Sequence, residues 1–134
     1  FCVSGAPGWY DAGELTAAFA GLGVGHPTGF PLMALLGHGV YLIPVGSVSF
    51  RLAILSAASV GVAAGCLYDL ARSAGAARTG ALLGALVFPA IFVVWLHGTR
   101  VEVYGPNVAL IALPLLAATK APTAAPTIIR ISVG

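Results

Sequence analysis

Two acidic residues near the start of the chain, in W-Y-D-A-G-E-L (9–15), are the first candidates for chemistry. Asp11 precedes a helical run and Glu14 follows three residues later, an arrangement typical of a capping box at a helix N-terminus. An exposed carboxylate can also act as a general base that takes a proton from an incoming hydroxyl. Both interpretations can hold at once, with Glu14 capping the helix and Asp11 catalytic.

The segment G-H-P-T-G-F-P-L (25–32) predicts a tight turn that presents His26. A lone histidine is more often a hydrogen-bonded loop residue than a base or a ligand. His26, His38 and His97 lack the spacing of metal ligands, so the sequence predicts no metal site and no cofactor. A cation bound by Asp11 together with Glu102 is the one arrangement left open.

A third polar group, in H-G-T-R-V-E-V-Y-G-P-N (97–107), contains Arg100, Glu102 and Tyr104. One interpretation is an ordinary polar turn between helices, with Tyr104 in the aromatic belt of a membrane. The other is a substrate site, in which the guanidinium of Arg100 or Arg51 binds a lipid-linked phosphate. Arg51 begins an apolar run, where extension toward lipid headgroups is an equally good explanation of its charge.

Composition indicates what kind of element must position these residues. Of 134 residues, 59% are hydrophobic and 7% are charged, and the mean hydropathy is +1.01. A soluble domain carries about a quarter charged residues, so the class predicted is an all-α integral membrane protein. A net charge of +2 without a basic run argues against nucleic acid as a partner.

Three largely uncharged segments, 52–71, 79–99 and 103–119, are each long enough to cross a hydrocarbon layer of about 30 Å, and together they define a membrane region over 52–119. The tail, 120–134, has no periodicity and is given no structure.

Residues 1–51 are predicted to form a non-cytoplasmic loop. Pro27, Pro31 and Pro44 interrupt its apolar part, which favours two short interfacial helices over 13–22 and 31–42. The positive-inside rule puts three cations on the cytoplasmic side: Arg72, Arg78 and Lys120. The loop and the turn near Arg100 then share the opposite side.

The polar groups, in this order and spacing, resemble the amino-terminal part of a known membrane family. The segments are D-A-G-E-L, L-G-V-G-H-P-T-G-F-P-L, P-V-G-S-V-S-F-R-L-A-I-L-S-A and R-V-E-V-Y-G-P-N. They are similar to bacterial relatives of the transmembrane protein O-mannosyltransferase family over about 5–118. Family members typically read D-S-G-E and H-P-P-G-Y-P, so Ala12, Thr28 and Phe30 are mild departures.

The resemblance implies a GT-C glycosyltransferase fold, a multi-spanning helical bundle whose first non-cytoplasmic loop carries a catalytic acid. It implies a polyprenyl-phosphate monosaccharide donor, often mannose, and a protein or glycan hydroxyl acceptor, with Asp11 as the base. The substrate-binding candidates are Glu14, His26, Arg51, Arg100, Glu102 and Tyr104. The expected location is a bacterial inner membrane.

The chain is expected to be an inactive fragment of such an enzyme, with further spans on both sides. The alternatives from other classes are a transporter or flippase-like carrier and an inactive membrane scaffold. Transporter sites lie near the bilayer midplane. Here the polar groups gather at one edge of apolar spans, which favours chemistry at the membrane surface.

Overall fold

The structure is a computed structural model, and it describes residues 11–26 and 29–121. Every regular element in these residues is a helix, which confirms the all-α prediction for this part of the chain. In chain order the helices are α1 (Ala12–Gly21), α2 (Pro31–Tyr41), α3 (Val48–Ser73), α4 (Arg78–Ala90), α5 (Phe92–Gly98) and α6 (Tyr104–Lys120). The predictions for 1–10, for Pro27 and Thr28, and for 122–134 fall outside the described residues.

Helices α1 and α2 form a hairpin, with bounds close to those expected for the two short helices. His38 Nδ1 lies 2.9 Å from the carbonyl oxygen of Ala20, which joins the two helices by a hydrogen bond. A Cβ atom on Gly37 would lie 2.8 Å from Cβ of Phe19, so a larger residue would separate them. Leu15 and Phe19 are buried in a core that the hairpin shares with the start of α3.

Helices α3 and α6 lie side by side and run in the same direction, as two contacts show. In the N-terminal half of α3, Ser56 Oγ donates at 3.0 Å to the carbonyl oxygen of Glu102, which lies two residues before α6. Near their last turns, Lys120 Nζ lies 3.1 Å from Asp69 Oδ2. Because Ser56 and Asp69 are separated by about 20 Å along α3, the residues around Glu102 lie at the opposite end of the bundle from Lys120.

One described helix, α3, is long and apolar enough to cross a membrane, with 26 residues. The pair α4 and α5 would count as a second span if it is taken as one bent element. Helix α6 has 17 residues. The expected arrangement of three spans therefore stays a prediction.

The expected single helix over 79–99 is two helices, α4 and α5, bent by 64°. Ile91 separates them in an extended conformation, with φ −60° and ψ 127°. Pro89 lies two residues before this break, has no N–H for the carbonyl of Ala85, and crowds the preceding turn. The prediction was based on the absence of charged residues between 79 and 99, and it did not take Pro89 into account.

Asp69 is partnered differently from the pairing with Arg72 that its spacing suggests. Its carboxylate contacts Lys120 of α6. The Arg72 guanidinium donates to the carbonyl oxygen of Ala76 at 2.6 Å, in the turn after α3. An unsatisfied carbonyl at a helix end is a good acceptor for a nearby cation, which leaves Asp69 available to join α3 to α6.

Candidate active site

The segment between α5 and α6 sends alternate residues to the core and to a pocket. Val101 and Val103 are 3% and 6% exposed and belong to the core that contains the α1–α2 hairpin. Arg100 and Glu102, which flank Val101, line the pocket. Burial of the two valines removes apolar surface from water and so anchors the segment. The hydrophobic core therefore determines the positions of the Arg100 and Glu102 side chains.

Glu102 is also held by its backbone. The hydroxyl of Ser56, a residue 1% exposed in α3, donates to the Glu102 carbonyl oxygen. The same hydroxyl oxygen accepts from the Glu102 N–H at 3.3 Å. The buried hydroxyl thus uses its donor and one of its two acceptor positions on the same residue. This contact sets the distance of the Glu102 segment from α3.

A polar pocket of about 320 Å³ gathers four of the sequence-predicted site residues. Its lining consists of Asp11, Leu96, His97, Arg100, Glu102 and Tyr104. Asp11 comes from the start of α1, whereas the other residues come from α5, α6 and the segment between them. The shared core that packs α1 beside Val101 and Val103 explains how residues so far apart in sequence meet.

Asp11 is at the N-cap of α1, yet its side chain makes no capping hydrogen bond. Glu14 does not complete a capping box either, because its Oε1 accepts from the backbone N–H of His26 at 2.6 Å. The capping interpretation of this pair is therefore wrong. Both carboxylates instead face His26, whose Nε2 lies 3.9 Å from Asp11 Oδ2 and whose Nδ1 lies 3.4 Å from Glu14 Oε1.

Gly29 and Phe30 both contact His26. Gly29 has a φ of 63° and donates its N–H to the His26 carbonyl oxygen at 3.1 Å. Glycine adopts this left-handed conformation without the steric cost that a Cβ atom brings. The ring of Phe30 meets the His26 imidazole edge to face, at 5.7 Å between centroids.

The side chains of Asp11, Glu14 and His26 offer three potential metal ligands, whose donor atoms lie within 4.8 Å of one another. Oxygen and imidazole donors suit divalent cations such as Zn²⁺ or Mn²⁺. All three residues are exposed. The expected absence of a metal stays a prediction, and these three residues are the set that would hold a cation.

Burial raises the pKa of the Glu102 carboxyl above its ordinary value, because desolvation penalises the charged form. The cation-forming side chains of His97 and Arg100 lower the pKa of Glu102 without cancelling this effect, and the charge of Asp11 raises it further. The Glu102 side chain is 12% exposed, compared with 60% for that of Asp11. The pocket therefore holds one solvated carboxylate and one that retains a proton more readily.

An apolar cavity of about 260 Å³ adjoins the polar pocket, and it shares His97 and Tyr104 with that pocket. Its remaining lining residues come from α3, α4, α5 and α6: Val60, Phe88, Val93, Val94, Gly105 and Val108. The bend at Ile91 turns α5 toward this space. One end of the bundle thus presents an apolar compartment and a charged compartment side by side.

The similarity of the chain to known proteins covers this site. Residues 11–127 match the family described as protein O-mannosyl-transferase TMEM260 N-terminal domain. The chain belongs to the TMEM260 family. Over 98 residues it is 36% identical to the protein O-mannosyl-transferase TMEM260 of Mus musculus. That match covers 72% of the chain and 14% of the Mus musculus protein, and no solved structure matches the chain.

Membership of the TMEM260 family confirms the resemblance seen in the motifs, and the matched region includes every sequence-predicted site residue. The chain spans about one seventh of the length of its Mus musculus relative. The GT-C fold and the bacterial origin stay predictions.

Glu14 and His26, two of the sequence-predicted site residues, lie beside Asp11 but do not line the polar pocket. Arg51 does not line it either. Its guanidinium donates to carbonyl oxygens at the end of α2 and in the following loop: Tyr41, Ile43 at 2.6 Å and Gly46 at 3.3 Å. The guanidinium carbon also lies 5.8 Å from the centroid of the Tyr41 ring. Tyr41 is the last residue of α2, so its carbonyl oxygen has no partner within the helix and accepts from Arg51 instead. The role of Arg51 toward a phosphate stays a prediction.

The sequence analysis assigned no role to two residues that the structure places at this site, His97 and Ser56. His97 lines both compartments, and its ring centroid lies 4.7 Å from that of Tyr104. Ser56 orders the Glu102 segment. The sequence could have indicated Ser56 as a polar residue within an apolar run, and His97 as a residue close to Arg100 in the chain. Neither feature predicts which residue the side chain contacts.

We expect Glu102→Gln to increase thermal stability at neutral pH. The raised pKa means that the unfolded chain ionises at a lower pH than the folded chain, so folding loses stability as the pH rises above 4.5, the ordinary pKa of this carboxyl. Glutamine removes the desolvated charge. In thermal unfolding from pH 4.5 to 8, the variant should have the higher unfolding temperature at high pH, and the difference from the wild type should shrink as the pH falls. A difference that grows as the pH falls would contradict the raised pKa of Glu102.

Proposed function

We propose that the chain is part of an integral-membrane glycosyltransferase of the GT-C type. It moves mannose from a polyprenyl-phosphate donor to a hydroxyl of a protein acceptor, with Asp11 as the general base. The observation that carries the proposal is the polar pocket at Asp11, which adjoins an apolar cavity at the same end of the bundle. Membership of a family whose description names protein O-mannosyl transfer supports the reaction class.

The paired compartments suit an amphiphilic donor. A polyprenyl-phosphate sugar has an isoprenoid chain, a phosphodiester and a sugar in sequence. The apolar cavity offers aliphatic and aromatic surface to the chain, and the polar pocket offers charged groups to the sugar and phosphate. A soluble nucleotide sugar would make no use of the apolar compartment. This difference favours a lipid-linked donor.

The distribution of charge supports the placement of the site outside the cytoplasm. Asp11, Arg100 and Glu102 lie at the end of the bundle opposite Lys120 and Asp69. With Arg72, Arg78 and Lys120 at the cytoplasmic side of a bacterial plasma membrane, the pocket opens on the non-cytoplasmic side. The α1–α2 hairpin also exposes large apolar side chains, which suit a helix pair lying on the membrane: Leu22, Val24, Leu32, Leu35 and Leu36.

The proposed step is a displacement at the anomeric carbon. The acceptor hydroxyl oxygen forms a bond to this carbon, while its proton passes to the carboxylate of Asp11. The bond between the anomeric carbon and the phosphate oxygen breaks, and its electron pair leaves with the polyprenyl phosphate. The leaving phosphate gains one negative charge. The Arg100 guanidinium, which lines the same pocket, can stabilise this charge.

The test uses the full-length protein that contains this chain, reconstituted in liposomes with a protein acceptor. Radiolabelled polyprenyl-phosphate-mannose and GDP-mannose are supplied in parallel, and label on the acceptor is measured. We expect transfer from the lipid-linked donor and none from the nucleotide sugar. Transfer from GDP-mannose alone would overturn the donor class, and labelling of Trp9 to Leu15 from the cytosol would overturn the topology.

A further inference from the structure

His97 occupies the junction between the apolar cavity and the polar pocket. Among the described residues, it and Tyr104 are the two that line both compartments. Its ring is tilted by 55° against the ring of Tyr104. An amphiphile with its chain in one compartment and its sugar in the other would have its phosphate at this junction.

The imidazole of His97 has an acidic neighbour, Glu102. Its Nδ1 atom lies 3.7 Å from Glu102 Oε1, and this nitrogen is shielded from solvent without a hydrogen-bond partner in the described part of the chain. This distance is too long for a hydrogen bond but is within the range of an ion pair. The Ser56 contact holds the Glu102 segment in place. A proton on Nδ1 that faces Glu102 leaves Nε2 to face a ligand.

We propose that His97 binds the phosphodiester of the lipid-linked donor through Nε2 as an imidazolium, which Glu102 orients. This inference rests on the proposed function and adds the residue that contacts the phosphate. The other charged or titratable groups at the junction are Arg100 and Glu102 from the α5–α6 segment, Asp11 before α1 and Tyr104 of α6. The remaining residues of the apolar cavity carry no charge.

The first experiment compares His97→Gln with His38→Gln in the full-length protein. His38 contacts the Ala20 carbonyl oxygen in the α1–α2 hairpin and lines neither compartment, so it controls for the loss of an imidazole. We expect His97→Gln to raise the KM for polyprenyl-phosphate-mannose about tenfold to a hundredfold, the loss of one charge-assisted hydrogen bond. The kcat should fall as well, because the phosphate that His97 contacts gains negative charge as its bond to the anomeric carbon breaks. A wild-type KM in His97→Gln overturns the proposal.

The second experiment needs no variant, so it holds even if His97→Gln fails to fold. Citronellyl methyl phosphate, whose phosphodiester keeps one charge, and the neutral alcohol citronellol are tested as competitors of the donor. Because an imidazolium attracts the charged phosphodiester, citronellyl methyl phosphate should inhibit transfer at a concentration about tenfold or more below that of citronellol. Equal inhibition by the two compounds overturns the proposal.

The two proposals fail in different ways. If Asp11→Asn still transfers mannose, Asp11 is not the general base and the proposed function fails. If Asp11→Asn is inactive but His97→Gln has the wild-type KM for the donor, only the proposed contact between His97 and the phosphate is refuted.

Discussion

Asp11→Asn in the full-length protein is expected to reduce mannose transfer from a polyprenyl-phosphate donor by about 100-fold to 10,000-fold, the usual contribution of a positioned general base. Asparagine keeps the shape of the side chain but cannot take the acceptor proton. The Asp11 carboxylate makes no capping bond and is largely exposed, so the replacement should leave folding intact. Initial transfer rates and thermal unfolding of the variant are the measurements.

Asp69→Asn is the matched control for this variant. Asp69 is also partly exposed, but it contacts Lys120 at the opposite end of the bundle. Its loss should leave transfer unchanged and should cost about 0.2–1 kcal/mol of stability, as for other exposed ion pairs. Transfer at the wild-type rate by Asp11→Asn would show that this carboxylate is not the base.

Glu14→Gln and His26→Gln separate a base from a metal ligand at the same position. If Asp11 acts alone as a base, these two variants should retain most of the transfer activity, and a chelator should have no effect. If the three side chains hold a divalent cation, all three variants and the chelator should abolish transfer together.

Gly105→Ala is expected to destabilise the fold by about 1–3 kcal/mol, the usual cost of overpacking. A Cβ atom on Gly105 would lie 2.8 Å from the carbonyl oxygen of Ser56 and 3.3 Å from Cγ2 of Val60. Because the closest atom belongs to the backbone of α3, the clash is relieved when α6 moves away. That movement would draw Tyr104 and Glu102 out of the pocket. Transfer should therefore fall together with the unfolding temperature.

Gly61→Ala on α3 is the control for this substitution. A Cβ atom on Gly61 would meet nothing within 4 Å. Alanine favours a helix over glycine by about 0.5–1 kcal/mol, so this variant should be at least as stable as the wild type. Thermal unfolding in detergent measures both variants. Equal unfolding temperatures for Gly105→Ala and Gly61→Ala would show that the close approach of α3 and α6 is unimportant.

Local sequence predicted the helices except for the break between α4 and α5. Apolar runs bounded by charges or prolines indicated where the helices lie because a backbone without water must satisfy its hydrogen bonds within the segment. The motif spacing also identified the TMEM260 relationship, and it named Asp11, Arg100, Glu102 and Tyr104 as members of one site.

Tertiary packing decided what the local pattern could not. The spacing of Asp11 and Glu14 fits a capping box, but both carboxylates face His26 instead. Arg51 carries the same charge as Arg100, yet only Arg100 reaches the pocket, because the carbonyls after α2 lie closer to Arg51.

The junction at His97 also exists only in three dimensions. It requires the break after Pro89, the burial of Val101 and Val103, and the close contact of Gly105 with α3. Sequence thus determined which segments are helical and which residues are polar, because those properties depend on neighbours along the chain. The structure determined which side chains share a compartment, because that depends on how closely helices distant in sequence can approach.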